Sequence, residues 1–229
     1  MIILTGDTHG DYYDITKILH DCVCLNEHDT LVILGDAGFN YYENTRDTFL
    51  KEVTKDINFN ILCIHGNHEK RPNTIGTYKE KVWNDGIVYY EEEYPHLLFA
   101  KDGIFNIDNN RILVIGGAYS VDKFYRLKRG WKWFEDEQPS QEIKDYIETI
   151  VKENNEFDYV FTHTCPISYE PTEMFLSYVN QNEVDKSTEI WLEKIKNSIE
   201  YKHWYCGHYH TNKDIDNLSF LFHDYKIID

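Results

Sequence analysis

The sequence contains no apolar run near the ~18 residues that a membrane-spanning helix requires. Its longest runs are short, such as Leu31-Val32-Ile33-Leu34. It opens on an apolar stretch and a Gly-Asp, without the charged n-region and apolar h-region of a secretory leader, so a cytoplasmic protein is expected. Basic residues are scarce. There are 23 Lys+Arg against 40 Asp+Glu, a formal net charge of −17. Such a chain repels polyanions at long range, which disfavours extended nucleic acid as a partner. A phosphate-bearing ligand would then need a local source of positive charge. Paired cysteine motifs are also missing. The five cysteines (22, 24, 63, 165, 206) are odd in number and include no Cys-x-x-Cys. Cys63 and Cys206 lie inside apolar runs, and reduced thiols packed as small core residues are expected. There is no internal repeat, low-complexity tract or Pro/Ser-rich linker, so residues 1–229 are read as one domain.

Apolar and aromatic residues are not lacking. Hydrophobics make up 41% and aromatics 15%, enough to exclude global disorder even at a mean hydropathy of −0.58. Short runs rich in Ile, Val and aromatics recur, and most of those in the outer thirds end in glycine and polar residues. Met1–Leu4 leads into Thr5-Gly6-Asp7, and Leu31–Leu34 into Gly35-Asp36. Ile61–Ile64 leads into His65-Gly66-Asn67-His68, Tyr159–Phe161 into Thr162-His163, and Trp204–Cys206 into Gly207-His208. These read as buried strands. Between the first three lie helix-like segments. Asp14–Leu25 has Ile15, Ile18, Leu19 and Cys22 at helical spacing, and Glu43–Ile57 has Phe49, Leu50 and Val53. The β-α-β-α-β order implies parallel strands with right-handed crossovers.

The middle third differs. Ile87–Tyr90, Leu97–Lys101, Ile104–Asp108 and Arg111–Ile115 are separated by short turns and predict an antiparallel meander. A helix from Pro139-Ser140 to about Asn154, capped by Ser140, and another from Ser187 or Thr188 follow. Two short strands, Ser219–Phe222 and Tyr225–Ile228, end the chain. The expected fold is an α/β sandwich, two mixed sheets flanked by helices in an αββα arrangement.

The polar residues at the strand ends are Asp7, His9, Asp36, Asn67, His68, His163, His208 and His210. In a largely parallel sheet the carboxyl ends of neighbouring strands converge on one crevice. Imidazole, carboxylate and amide donors together suit Mn, Fe or Zn rather than an all-oxygen cage. Six of the 12 glycines (6, 10, 35, 38, 66 and 207) lie in these segments, as tight turns or close backbone approach demand.

Asp7-Thr-His9, Gly35-Asp36-Ala-Gly38, Gly66-Asn67-His68-Glu69, His163 with Pro166 nearby, and Gly207-His208-Tyr-His210 resemble the five signature blocks of the calcineurin-like metallophosphoesterases, in family order. The resemblance implies two divalent metal ions. Asp7, His9, Asp36 and His210 would hold one, and Asp36 (bridging), Asn67, His163 and His208 the other. His68 would act beside them as general acid or hydrogen-bond donor, while a hydroxide bridging the ions attacks a phosphate ester. Two dications would also supply the positive focus that the acidic chain otherwise lacks. His65 stands one turn from the Asn67-His68 pair and is a candidate to orient it, as is Glu69.

The sequence departs from the Ser/Thr protein phosphatase branch, which has Gly-Asp-x-x-Asp-Arg-Gly and Arg-Gly-Asn-His-Glu. Here Phe39 and Asn40 follow Gly35-Asp36, and His65 precedes Gly66. Both arginines that clamp a phosphate monoester in that branch are missing, as is the carboxylate partner of the catalytic histidine. A small phosphodiester or nucleotide is therefore favoured, with a monoesterase or a catalytically silent metal-binding scaffold as alternatives. Replacement cations are sought in Arg71 and in the basic, aromatic stretch Ser120–Phe134, where Lys123 and Arg126 are candidate substrate-binding residues. The alternative for that stretch is a packing loop with solvated cations.

Overall fold

The computed structural model describes residues 1–21 and 25–228. Its first sheet has seven strands: β1 (Ile2–Thr5), β2 (Thr30–Ile33), β3 (Asn60–Cys63), β4 (Lys79–Trp83), β5 (Gly86–Tyr90), β6 (Leu97–Ala100) and β13 (Tyr225–Ile228), in the order β13-β1-β2-β3-β6-β5-β4. Strands β1, β2, β3 and β6 run parallel, β13 and β5 run antiparallel beside them at the two margins, and β4 pairs antiparallel with β5. The second sheet has six: β7 (Gly103–Ile107), β8 (Asn110–Ile115), β9 (Glu156–Thr162), β10 (Glu200–Cys206), β11 (Lys213–Ile215) and β12 (Leu218–Phe220), ordered β11-β12-β10-β9-β8-β7. Its four inner strands are parallel.

The two-residue period of the strands builds three apolar layers. Ile2, Leu4, Val32, Leu34 and Leu62 of the first sheet meet Phe105, Ile112, Val114 and Phe161 of the second. The alternate residues Ile3, Leu31, Ile33 and Ile61 face outward against Ile15 and Ile18 of helix α1 (Tyr12–Asp21). On the far side, Leu113, Ile115, Val160 and Trp204 pack against Ile147 and Val151 of α4 (Gln141–Glu153) and Trp191, Leu192 and Ile195 of α5 (Ser187–Lys196). The sum is the expected αββα sandwich. Ser140 caps α4, its hydroxyl accepting from the Ile143 N–H. Cys63, Cys165 and Cys206 are buried free thiols; Cys22 and Cys24 lie outside the described residues. Among the described residues no helix is long and apolar enough to cross a membrane.

Four details differ from the sequence reading. The middle strands do not form one meander. The chain passes from one sheet to the other between β6 and β7, because every side chain of β6 is buried and its free edge is taken by β3. Asp102 fixes that crossing, its carboxylate accepting from Gly116 N–H (2.6 Å) and from Arg71 (2.9 Å). Helix α2 (Thr45–Glu52) is shorter than expected, and of Phe49, Leu50 and Val53 only Leu50 packs on the core, beside buried polar residues. Phe49 and Val53 are exposed, whereas Asp47 caps the Tyr42 and Glu43 N–H groups and Lys51 pairs with Glu91 at 2.7 Å. The Ser120–Phe134 stretch contains a helix, α3 (Lys123–Arg129). Strands β4 and β11 are polar edge strands, whose lysine-bearing sequences lack the apolar alternation that marks a half-buried strand.

Candidate metal centre

Because β1, β2 and β3 are parallel neighbours in one sheet and β9 and β10 in the other, their carboxyl ends face the same end of the sandwich. Asp7 follows β1, Asp36 follows β2, Asn67 and His68 follow β3, His163 follows β9, and His208 and His210 follow β10. Backbone hydrogen bonds lock these turns together. His9 N–H donates to Asp36 C=O at 2.7 Å, and Gly207 N–H to His163 C=O at 2.9 Å. Side chains tie neighbouring turns together, across the two sheets for Asp7 and within the first sheet for Asp36. Asp7 Oδ1 accepts from His208 N–H at 3.0 Å, and Asp36 Oδ1 from His68 N–H at 2.7 Å. Gly66 lies so close to Asp36 that a Cβ there would stand 2.0 Å from its Oδ1. His9, Asp36, His208 and His210 all adopt positive φ. Non-glycine residues rarely do so, and such strain clusters where a fold holds side chains for use.

The resulting distances define two overlapping groups. In the first, His9 Nε2 lies 3.1 Å from His210 Nε2, which in turn lies 3.1 Å from Asp7 Oδ2. Asp36 Oδ2 is 4.0 Å from His9 Nδ1. In the second, Asn67 Oδ1 stands 2.8 Å from His163 Nε2 and 3.0 Å from His208 Nδ1, and Asp36 Oδ2 is 3.7 Å from His163 Nε2. His68 is at the margin, its Nδ1 3.6 Å from Asp36 Oδ2.

The donor set fits divalent cations. Asn67 donates through Nδ2 to the Ser120 hydroxyl (2.9 Å), which turns Oδ1, a pure acceptor, inward. His163 Nδ1 faces Leu34 C=O at 2.9 Å, so that nitrogen carries the proton and Nε2 presents its lone pair. Two lone pairs thus meet at 2.8 Å, a contact that an intervening cation would reconcile. Asp7 Oδ2 is buried, and its contact there is the 3.1 Å approach of the His210 imidazole. Asp7/His9/His210 and His9/Asp36/His68 each bring ligand atoms within 4.8 Å of one another.

The protonation states suit the same purpose. Burial works against the charge on Asp36, but His68, His163 and His9 outweigh it and hold the carboxyl well below its usual range. Asp7 is likewise held low by His210 and His163 against the effect of burial. Burial pushes His208 down to about 3 and lowers His9, whereas Asp7 raises His210. Ionised carboxylates and the neutral imidazoles of His9 and His208 are ligating forms, whereas His210 has to give up the proton that Asp7 favours when a cation binds.

The remaining residues singled out in the sequence fall in different places. Arg126 reaches the cluster, its Nη2 3.0 Å from His68 Nδ1 and its Nε on Asp122 Oδ2 at 2.8 Å. Lys123 Nζ instead sits 3.8 Å over the Trp133 ring. Arg71 is turned away, tied to Asp102 and to the Asp136 carbonyl. His65 is buried against that same carbonyl, and burial holds its pKa far down. Glu69 accepts from Gly66 N–H, and burial raises it to about 8.

Three residues near His68 escaped the sequence reading: Asp122, whose Oδ1 lies 3.7 Å from His68 Nε2; Tyr41, which accepts from Arg126; and Ser120, which turns Asn67. The i,i+4 spacing of Asp122 and Arg126 was the available signal, legible only once that stretch is known to be helical.

A two-sheet α/β sandwich here gathers carboxylates, imidazoles and an amide at the carboxyl ends of five strands, a donor set of the kind that holds divalent metal ions. The sequence profile of the calcineurin-like phosphoesterases matches residues 1–212, and the chain belongs to that family. Membership supports a metal-binding hydrolase of phosphate esters. Among solved structures, a protein of unknown function from Aquifex aeolicus is similar at 16% identity and a TM-score of 0.34, over 72% of this chain and 80% of that one. No curated protein matches the sequence.

Proposed function

We propose that the protein is a dinuclear metal-dependent phosphoesterase whose preferred substrate is a small phosphodiester or nucleotide. The observation that carries this reading is the arrangement around Asp36. Its carboxylate stands between the Asp7/His9/His210 group and the Asn67/His163/His208 group, within 4.0 Å of imidazole nitrogens on both sides. Asp7, His9, Asp36 and His210 would hold one ion, and Asp36, Asn67, His163 and His208 the other, with Mn, Fe or Zn suited to the mixed donors. When bound, the ions supply Lewis-acid charge to the phosphoryl oxygens and a low-pKa water as nucleophile.

The chain's own residues supply orientation and a proton. Arginine can only donate, so the 3.0 Å contact from Arg126 makes His68 Nδ1 the acceptor and puts the ring proton on Nε2. That Nε2–H faces Asp122 and the open cleft beside the cluster, where it can protonate a departing alkoxide. Asp122 orients the ring and Arg126 holds its tautomer. Arg126, partly neutralised by Asp122, is the guanidinium beside the cluster among the described residues, and Arg71 is committed to Asp102. A dianionic monoester is best met by paired guanidinium forks, and a monoanionic diester needs fewer. This supports the diester over the protein-phosphatase alternative.

The test is Mn²⁺-dependent hydrolysis of bis-p-nitrophenyl phosphate beside p-nitrophenyl phosphate, with His68→Ala as control. Metal-dependent diester cleavage is expected, with the His68→Ala loss largest for a diester whose alkyl leaving group, unlike p-nitrophenolate, needs the proton. Faster monoester cleavage would move the assignment to a phosphatase. No turnover of either, with two metals bound, would favour a binding scaffold.

A further inference from the structure

A cleft of about 410 Å³ opens directly from the cluster, with Asp36, Asn67, His68, His208 and His210 at its inner end. Its outer walls come from the segment after β8, the 171–186 stretch with its 3₁₀ turns, and Tyr209. They are apolar and aromatic. Val121, Met174, Phe175, Leu176, Tyr178 and Tyr209 line it, and Phe175 lies nearly parallel to Tyr209, 6.2 Å between ring centroids at 24°. Met174, Leu176 and Tyr178 are 43%, 45% and 82% exposed. An apolar wall left this open beside a polar site is the usual form of a ligand subsite.

The charges in the wall decide what can enter. Asp122, Glu170, Asp185 and Glu189 stand against Lys186. That lysine is already paired with Glu170 at 2.7 Å and lies over the Phe175 ring at 4.8 Å. Away from the metal cluster the cleft therefore has no spare cation among the described residues, and further phosphates would meet carboxylates. The same wall is rich in acceptors. Glu189 is 4% exposed; its Oε1 accepts from the Thr164 hydroxyl and its Oε2 has no partner. An occupant with N–H or O–H groups on a flat apolar body matches such a surface, whereas a chain of phosphates does not.

We infer that this cleft is the leaving-group subsite and that it takes an uncharged, ring-bearing alcohol such as a nucleoside, joined through a single phosphate. The inference rests on the phosphoesterase reading for the position of the phosphate, but the preference for an uncharged ring stands apart from catalysis. It excludes nucleoside triphosphates and other polyphosphates as good substrates.

The experiment is a titration of the metal-free, full-length protein with adenosine, followed by saturation-transfer NMR, with inorganic tripolyphosphate as competitor. Adenosine is expected to bind and tripolyphosphate not to displace it. Phe175→Ala and Tyr178→Ala should each weaken adenosine about tenfold, as loss of one stacking face does. Tyr178 is so exposed that its variant leaves folding intact. Undetectable adenosine binding, equal affinity in both variants, or displacement by tripolyphosphate would overturn the assignment. Adenosine binding without any Mn²⁺-dependent hydrolysis would count against the phosphoesterase reading and leave the subsite standing. Diester hydrolysis without adenosine binding would do the reverse.

Discussion

Gly35→Ala is the substitution whose consequence can be worked furthest from the structure. Gly35 has φ +98°, and a Cβ built on it would stand 2.0 Å from His163 Nδ1 and 2.5 Å from Cγ. Real Cβ contacts essentially never fall below 3.0 Å, so the imidazole must retreat by about 1 Å or more. Metal-ligand distances tolerate only ~0.2 Å. The retreat also pulls Nδ1 from Leu34 C=O, a buried hydrogen bond of 2.9 Å. Losing that bond destabilises by ~1–3 kcal/mol, and an alanine forced to positive φ adds ~1–2 kcal/mol. The sum, ~2–5 kcal/mol, is a large part of the ~5–15 kcal/mol typical of a domain. At ~2–4 °C per kcal/mol for this size the metal-free protein should melt ~4–20 °C lower. Calorimetric titration with Mn²⁺ should find the ion that uses His163 weakened ~10–100-fold. The ion held by Asp7, His9, Asp36 and His210 should keep most of its affinity. Gly76→Ala, where a Cβ meets nothing within 4 Å, is the control. Two equivalents bound at wild-type affinity in Gly35→Ala would remove His163 from the ligand set. An unchanged melting temperature would refute the packing argument itself.

Other expectations follow from the same geometry. His68→Ala should lower turnover of alkyl esters by ~10²–10⁴-fold with Mn²⁺ stoichiometry and melting little changed; near-normal turnover would remove His68 from proton transfer. Asp122→Asn should slow alkyl leaving groups more than p-nitrophenolate, which needs no proton; an equal effect on both would make Asp122 a packing residue. Burial raises Glu189 to about 7 from an ordinary value of 4.5, so the folded state favours its protonated form. The stabilisation is therefore complete below about pH 4.5 and is lost as pH rises through about 7. Melting of the metal-free protein should carry a decline over that window, shared with Glu69, which Glu189→Gln makes shallower, and an unchanged slope in the variant would contradict the assignment. Mn²⁺ at a hundredfold excess over its Kd should add ~2.7 kcal/mol and raise melting by ~5–10 °C. A melting temperature indifferent to Mn²⁺ would argue against binding to the folded state.

The framework was legible because buried parallel strands write themselves as short Ile/Val-rich runs, and four of the five that feed the cluster end in Gly plus a polar residue, the fifth in Thr162-His163. The same adjacency made Asp7, Asp36, Asn67, His163 and His208 readable as one group, since parallel strands must bring their ends together. Local patterns failed where tertiary context decides. Lys79–Trp83 pairs along an edge without an apolar face, and α2 buries Asp47 and Lys51 through specific partners rather than through Phe49 and Val53. The passage from β6 to β7 between sheets could not be told from a hairpin turn, because Asp102-Gly103 serves either. Arg71 and Arg126 looked equivalent as nearby cations, yet only the structure shows one committed to Asp102 and the other beside His68. Asp122 stayed hidden because its partner lies more than fifty residues away.

The central claim is the shared carboxylate of Asp36, and counting metal tests it most directly. Wild-type protein and Asp36→Asn, each loaded with Mn²⁺ and freed of excess, should be assayed for metal per chain by mass spectrometry. Two equivalents in the wild type and loss of both in Asp36→Asn are expected, since the substitution removes the charge that both groups face. A variant that keeps two equivalents, or a wild type that binds none, would contradict the account.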